Sequence, residues 1–228
     1  MLGAPLWART ATVAAGPVFN FILSVVVFAA VMMIQGRAIE PLAVGELKPL
    51  PFEGVTIQPD DQLISINGDA VPARDGDDPD AFQDFINALP YEATLDYEVN
   101  RNGEVTVVQG PFPMPALITQ LAPQSAAFDI DLRQGDVIFA VEGAPIVAFE
   151  QLKQVVETSD GRVLELDVWR NGEILQFALA PRRVDEPQPE GGFKTQWRIG
   201  ISGGLAFEPA TEALGLVTAV SDGGTQVW

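Results

Sequence analysis

The sequence predicts one transmembrane α-helix, then two α+β units of the same design, then a partial C-terminal segment. Three observations predict this. No charged residue occurs between Arg9 and Arg37. The stretch Asp61 to Val71 recurs in pattern as Asp136 to Ile146. The tetrapeptide Arg101-Asn102-Gly103-Glu104 recurs as Arg170-Asn171-Gly172-Glu173.

The uncharged run comes first. A membrane helix needs about 20 mainly apolar residues, and Val13 to Ile34 is long enough. A secretory signal has a shorter apolar region, about 7–15 residues, ending in a small-x-small site. Gln35-Gly36-Arg37 does not provide one. Arg9 and Arg37 flank the run, so the positive-inside rule is nearly balanced and leaves its orientation open. Trp7 suits a membrane–water boundary. Pro early in a helix is tolerated because the first N–H groups lack partners, so the regular helix is expected to begin near Pro17. Asn20 is polar at membrane depth. It fits a helix–helix hydrogen bond, or a position near a substrate path. Gly16, Pro17 and Asn20 form the membrane-helix motif.

Charge divides the chain unevenly. Residues 1–39 hold only Arg9 and Arg37 as charged groups, a charge of +2. Subtracting this from the total of −18 leaves −20 on the rest. An acidic body repels nucleic acid, which excludes nucleic-acid partners. There is no Cys and no His. That removes disulfides, thiolate chemistry, Ser-His-Asp triads and His-ligated zinc from these residues.

The repeat is read element by element. Each copy opens with an apolar strand, a tight turn containing Gly, and a short second strand. Asn67-Gly68 is a strong hairpin signal, since both positions accept positive φ. A helix follows, with Phe82, Phe85, Ile86 and Leu89 on one face in the first copy. In the second, Phe149, Leu152, Val155 and Val156 share a face. Two strands then surround the repeated Arg-Asn-Gly-Glu turn. Arg74 to Asp78 is an insert in the first copy and reads as an exposed loop. Pro181 to Gly192 reads as a polar linker and Trp197 to Ile201 as a short strand. Pro209 to Val220 reads as the start of a helix. The expected domains are 1–39 (flank and membrane helix), 40–113, 114–184, and 185–228 (linker, short strand and truncated helix start).

The order strand, tight turn, short strand, helix, strand pair, with Gln134-Gly135-Asp136 leading the second copy, resembles the PDZ domain in its bacterial, circularly permuted form. Pro59-Asp60-Asp61 departs from the usual Pro-Gly-Asp by lacking Gly. A helix carrying Ala15-Gly16-Pro17-x-x-Asn20, two such copies and Arg198-Ile199-Gly200-Ile201 together resemble bacterial site-2 proteases, the RseP-like intramembrane zinc metalloproteases. The resemblance implies an enzyme of regulated intramembrane proteolysis. It implies the inner membrane, extracytoplasmic PDZ domains, and transmembrane protein substrates or peptide C-termini as partners. It also implies zinc in the full-length family, held by His-Glu-x-x-His and by a Leu-Asp-Gly aspartate. This sequence has neither motif, and Ser221-Asp222-Gly223-Gly224 is not that aspartate site. The chain thus resembles a middle section, with no catalytic and no metal-ligating residue of its own, expected to bind no zinc and to be inactive alone. The alternative is a non-enzymatic, membrane-anchored tandem PDZ scaffold.

PDZ domains capture chain ends by strand addition beside a helix. The groove candidates are therefore Phe82 and Phe85 beside Leu42 to Leu47, and Phe149, Leu152 and Val156 beside Ala116 to Leu121. Ordinary core packing is the competing explanation for all five side chains.

Overall fold

The computed structural model describes residues 6–35, 37–73, 78, 80–187 and 191–212. The chain forms two compact units, one of Met1–Ile39 with Ala210–Trp228 and one of Glu40–Pro209.

In the smaller unit, α1 (Leu6–Gln35) is a helix of 30 residues. It starts at Leu6, not near Pro17, so Pro17 is interior and removes one i→i−4 hydrogen bond there. Among the described residues, no helix is long and apolar enough to cross a membrane. This corrects the expected fold class of one transmembrane helix followed by two domains: the chain has a helix and a mostly β body. The helix carries polar Asn20 and Ser24 among its apolar residues. After the helix, β1 (Arg37–Ala38) pairs antiparallel with Thr211–Glu212.

The larger unit holds two four-stranded antiparallel sheets. In the first repeat, β2 (Val44–Leu47) precedes β3 (Gln62–Ile66), β4 (Asp69–Ala70), α2 (Ala81–Ala88), β5 (Thr94–Arg101) and β6 (Glu104–Pro111). The sheet order is β4-β3-β5-β6. The β3–β4 turn is Asn67-Gly68 and the β5–β6 turn is Asn102-Gly103, all four residues at positive φ. Such two-residue turns match the twist of a hairpin. Alternation along β5 buries Leu95, Tyr97 and Val99, which pack with Leu63, Ile66, Ile86 and Phe112.

The second repeat follows the same plan. It contains β7 (Gln120–Leu121), α3 (Ala126–Asp129), β8 (Val137–Val141), β9 (Ala144–Pro145), α4 (Phe149–Glu157), β10 (Leu164–Arg170) and β11 (Glu173–Leu179). The order β11-β10-β8-β9 mirrors the first sheet. Glu142-Gly143 and Asn171-Gly172 repeat the positive-φ turns. At the start of α4, Gln151 accepts hydrogen bonds from the N–H groups of Val147 and Ala148. Ala148 has no side-chain acceptor, so only the Gln half of a capping box is made.

Past β11 the chain differs from the expected linker. Arg182–Pro187 (β12) and Phe193–Arg198 (β13) form a hairpin. Ile201–Ser202 (β14) then pairs with β7 of the second repeat, and Phe207–Pro209 (β15) pairs with β2 of the first. Ala206 and Phe207 are buried in the first core. Thr211–Glu212 (β16) is a strand where a helix was expected. Residues 213–220 and 221–224, and residues 74–77 of the insert, lie outside the described residues.

Candidate functional site

An apolar concave surface lies beside α4. The helix faces the chain from Arg198 to Ser202 across a groove of about 350 Å³. Two contacts fix their relative direction. At one end, Arg198 Nη1 donates to Glu157 Oε1 at 3.1 Å. At the other, a Cβ on Gly203 would lie 2.5 Å from the Phe149 ring. The strand therefore starts beside the C-terminal end of α4 and ends beside its N-terminal end. Gly200 has φ +81° and Gly203 has no room for a side chain, so glycine is required at both places.

The groove floor is apolar. Leu152 and Val156 are 1% and 4% exposed. Both belong to the second core and both line the groove. Core packing and groove lining are thus not alternatives for these two side chains, because each has one surface inward and one toward the cavity. Ile199 and Ile201 oppose them. β14 pairs with β7 on one edge and has no second strand neighbour among the described residues. An extended segment could add there, with the helix supplying the other wall.

Sequence reasoning placed the wrong strand at this wall. Ala116 and Ile118 are second-core residues, and β7 lies on the far edge of β14. The run Arg198-Ile199-Gly200-Ile201 carried the usable signal, with apolar residues alternating about a Gly. Phe149 lines the groove and also a second cavity of about 300 Å³. In the first repeat, Phe82 and Phe85 are half-buried against the first core. The second cavity meets α2 through Gln83, Ile86 and Asn87 instead. Gly16, Pro17 and Asn20 are exposed on α1, in the other compact unit. The Ser24 hydroxyl donates to the Asn20 carbonyl at 2.9 Å.

Among the described residues, no three His, Cys, Asp or Glu side chains are grouped to hold a metal ion. Together with the absence of His and Cys, this donor set does not fit a catalytic zinc, which takes about three protein ligands.

A family description, peptidase family M50, matches residues 1–217. A Rhizobium meliloti protein whose name includes the words zinc metalloprotease is 23% identical over 228 residues, covering 100% of this chain and 41% of that protein. A Mesorhizobium japonicum protein with the same words in its name is 29% identical over 224 residues, 93% of this chain and 55% of that protein. The Salmonella typhimurium regulator of sigma-E protease RseP is 27% identical over 199 residues, 76% of this chain and 43% of that protein. The chain thus spans about half the length of these relatives. Zinc belongs to the family, and the residues present here do not fit it. The match over residues 1–217 nonetheless settles membership: the chain belongs to peptidase family M50, the membrane-associated site-2 proteases.

Proposed function

We propose that this chain is the substrate-handling section of an intramembrane zinc metalloendopeptidase acting in regulated intramembrane proteolysis. Its two repeats act as PDZ-like domains on the extracytoplasmic side of the inner membrane, screening or binding substrate proteins and peptide C-termini. The observation that carries the reading is the groove between α4 and β14, with an apolar floor and one strand edge that has no strand neighbour. Family membership supports the protease role. The section would cleave nothing by itself, since its donors do not fit zinc. Stoichiometric zinc retained after dialysis, together with proteolysis, would overturn that point.

Screening is favoured over tight capture. The chain carries −18, so a terminal carboxylate approaches against a repulsive field, screened beyond about 8 Å at physiological salt. The test is calorimetric titration of the full chain with peptides ending in Val, Ala or Leu. The expected dissociation constant is about 10⁻⁵ M or weaker, less than roughly 7 kcal/mol of binding. Submicromolar binding that Val156→Asp abolishes in a still-folded protein would replace screening with capture. No binding at millimolar peptide would remove the groove reading.

A further inference from the structure

We infer that the first repeat sets the width of the α4 groove: both groove walls are anchored in the first core at the same end, which makes a hinge that couples the two repeats. The coupling depends on how the groove is built, not on what binds there. One wall is α4. Leu152 and Val156 belong to the second core. Ala148, at the start of the helix and 1% exposed, belongs to the first core, and Val147 packs against it. The helix therefore runs out of one core into the other. The second wall is β14. Ile201 packs against the second core. A few residues on, Leu205 packs against the first core, and Ala206 and Phe207 are buried in it.

Two hydrogen bonds mark the hinge. The Phe149 N–H donates to the Met114 carbonyl at 3.0 Å, and the Ala206 N–H donates to the Pro113 carbonyl at 2.9 Å. Consecutive carbonyls between β6 and β7 thus hold the first residue of α4 and the chain leaving β14. The walls touch at this end, since a Cβ on Gly203 would lie 2.5 Å from the Phe149 ring. The far end is joined differently, by the Arg198–Glu157 pair, whose side chains are 28% and 30% exposed. A partly exposed ion pair is weak beside a close-packed core. Val156 stands about 10 Å along the helix from Phe149, so a small rotation at the hinge is amplified toward the far end. A cavity of about 300 Å³ borders the hinge, lined among others by Phe112, Met114, Ala148, Phe149 and Gly203. These residues have room to shift with little repacking. Loosening the first core then lets the walls part. By linkage, walls held at a fixed separation steady the first core.

The test uses the full 228-residue chain, which has no Cys. Lys153→Cys and Ser202→Cys place spin labels on opposite walls, since both positions line the groove. Pulsed electron paramagnetic resonance reads their separation. Val99→Ala loosens the first core from within its sheet, where Val99 is fully buried on β5. It should lengthen the label distance by about 2 Å, the scale of shifts between packed helices, and broaden the distribution. Phe207→Leu, at the anchor of the β14 wall, should do the same. No change in either variant overturns the inference. A change with Phe207→Leu alone also overturns it, because the wall is then held locally and the repeat as a whole does not set the width. Reciprocity is read by joining the two thiols with a short bismaleimide. Compared with the unjoined chain, hydrogen exchange at Leu95 and Val99 should slow by about fivefold, the lower end of measured couplings. Unchanged exchange there overturns the coupling. Circular dichroism checks each variant, and if neither core variant folds, the cross-link decides. Neither readout involves a peptide, so failure here leaves the binding proposal standing, and a failure of peptide binding leaves the coupling standing.

Discussion

Two Arg residues explain why a tetrapeptide occurs twice. In the first repeat, Arg101 Nε and Nη2 donate to the Asp61 carboxylate, each at 2.7 Å. In the second, Arg170 does the same to Asp136 at 2.6 and 2.7 Å. Both Asp side chains are 1% exposed, and each also accepts a backbone N–H, from Gln58 and from Arg133. A buried carboxylate needs such partners, because an unpaired one costs several kcal/mol. Burial raises the affinity of Asp61 for a proton. Hydrogen bonds from Arg101 and the Gln58 N–H, with the Arg101 charge, outweigh burial and hold the carboxyl below its ordinary range. Since the folded value is depressed, this contribution to stability is present above about pH 4. It is lost as the pH falls through the lower folded value. Arg101→Ala should lower stability at neutral pH, by leaving the Asp61 carboxylate without its guanidinium partner. Denaturant melts from pH 7 to pH 2 should show the variant losing less stability than the parent over the acid limb. Parallel acid limbs in the two proteins would rule out this pair as the cause.

At the scale of single elements, β5 and β6 are locked by an aromatic ring. Tyr97 is fully buried, and its hydroxyl donates to the Pro111 carbonyl at 2.6 Å. Its ring lies across Gly110, where an added Cβ would come within 2.4 Å. Burial accordingly raises the phenol's affinity for its proton. Tyr97→Phe keeps the packing and leaves a buried carbonyl short of a donor. The expected loss is about 1–2 kcal/mol, read from the shift of the urea midpoint at constant m-value. A loss near zero would show that another donor replaces the hydroxyl.

At the scale of the whole larger unit, the chain returns to a core it has already left. After the second repeat, β15 pairs with β2, and Phe207, 2% exposed, packs into the first core. The first repeat is therefore completed by residues about a hundred positions downstream of its own last sheet strand. Phe207→Ala should destabilise the first repeat by about 3–5 kcal/mol. By hydrogen exchange, the amides of Leu95 and Val99 should lose protection more than those of Leu166 and Val168. Equal losses in both sheets would mean the two repeats unfold as one cooperative body.

Local chemistry made much of this legible in the sequence. Alternating apolar residues, the Asn-Gly turns and the three-and-four spacing of Leu152 and Val156 are short-range signals, each written within about ten residues. The duplicated Arg-Asn-Gly-Glu marked two units of one design for the same reason. Only tertiary structure decided which strand stands beside which helix. β7 and β14 are paired although Leu121 and Ile201 stand 80 positions apart, and no local period records such a pairing. The same holds for the Arg–Asp pairs, which join the ends of neighbouring strands 40 and 34 residues apart in the chain. It also holds for Leu152 and Val156, whose double role as core and groove floor depends on what lies on each side of them. The uncharged run predicted a helix correctly, because apolar, helix-compatible residues are a local property. The membrane span expected of it was corrected at the level of the structure: among the described residues, no helix is long and apolar enough to cross a membrane.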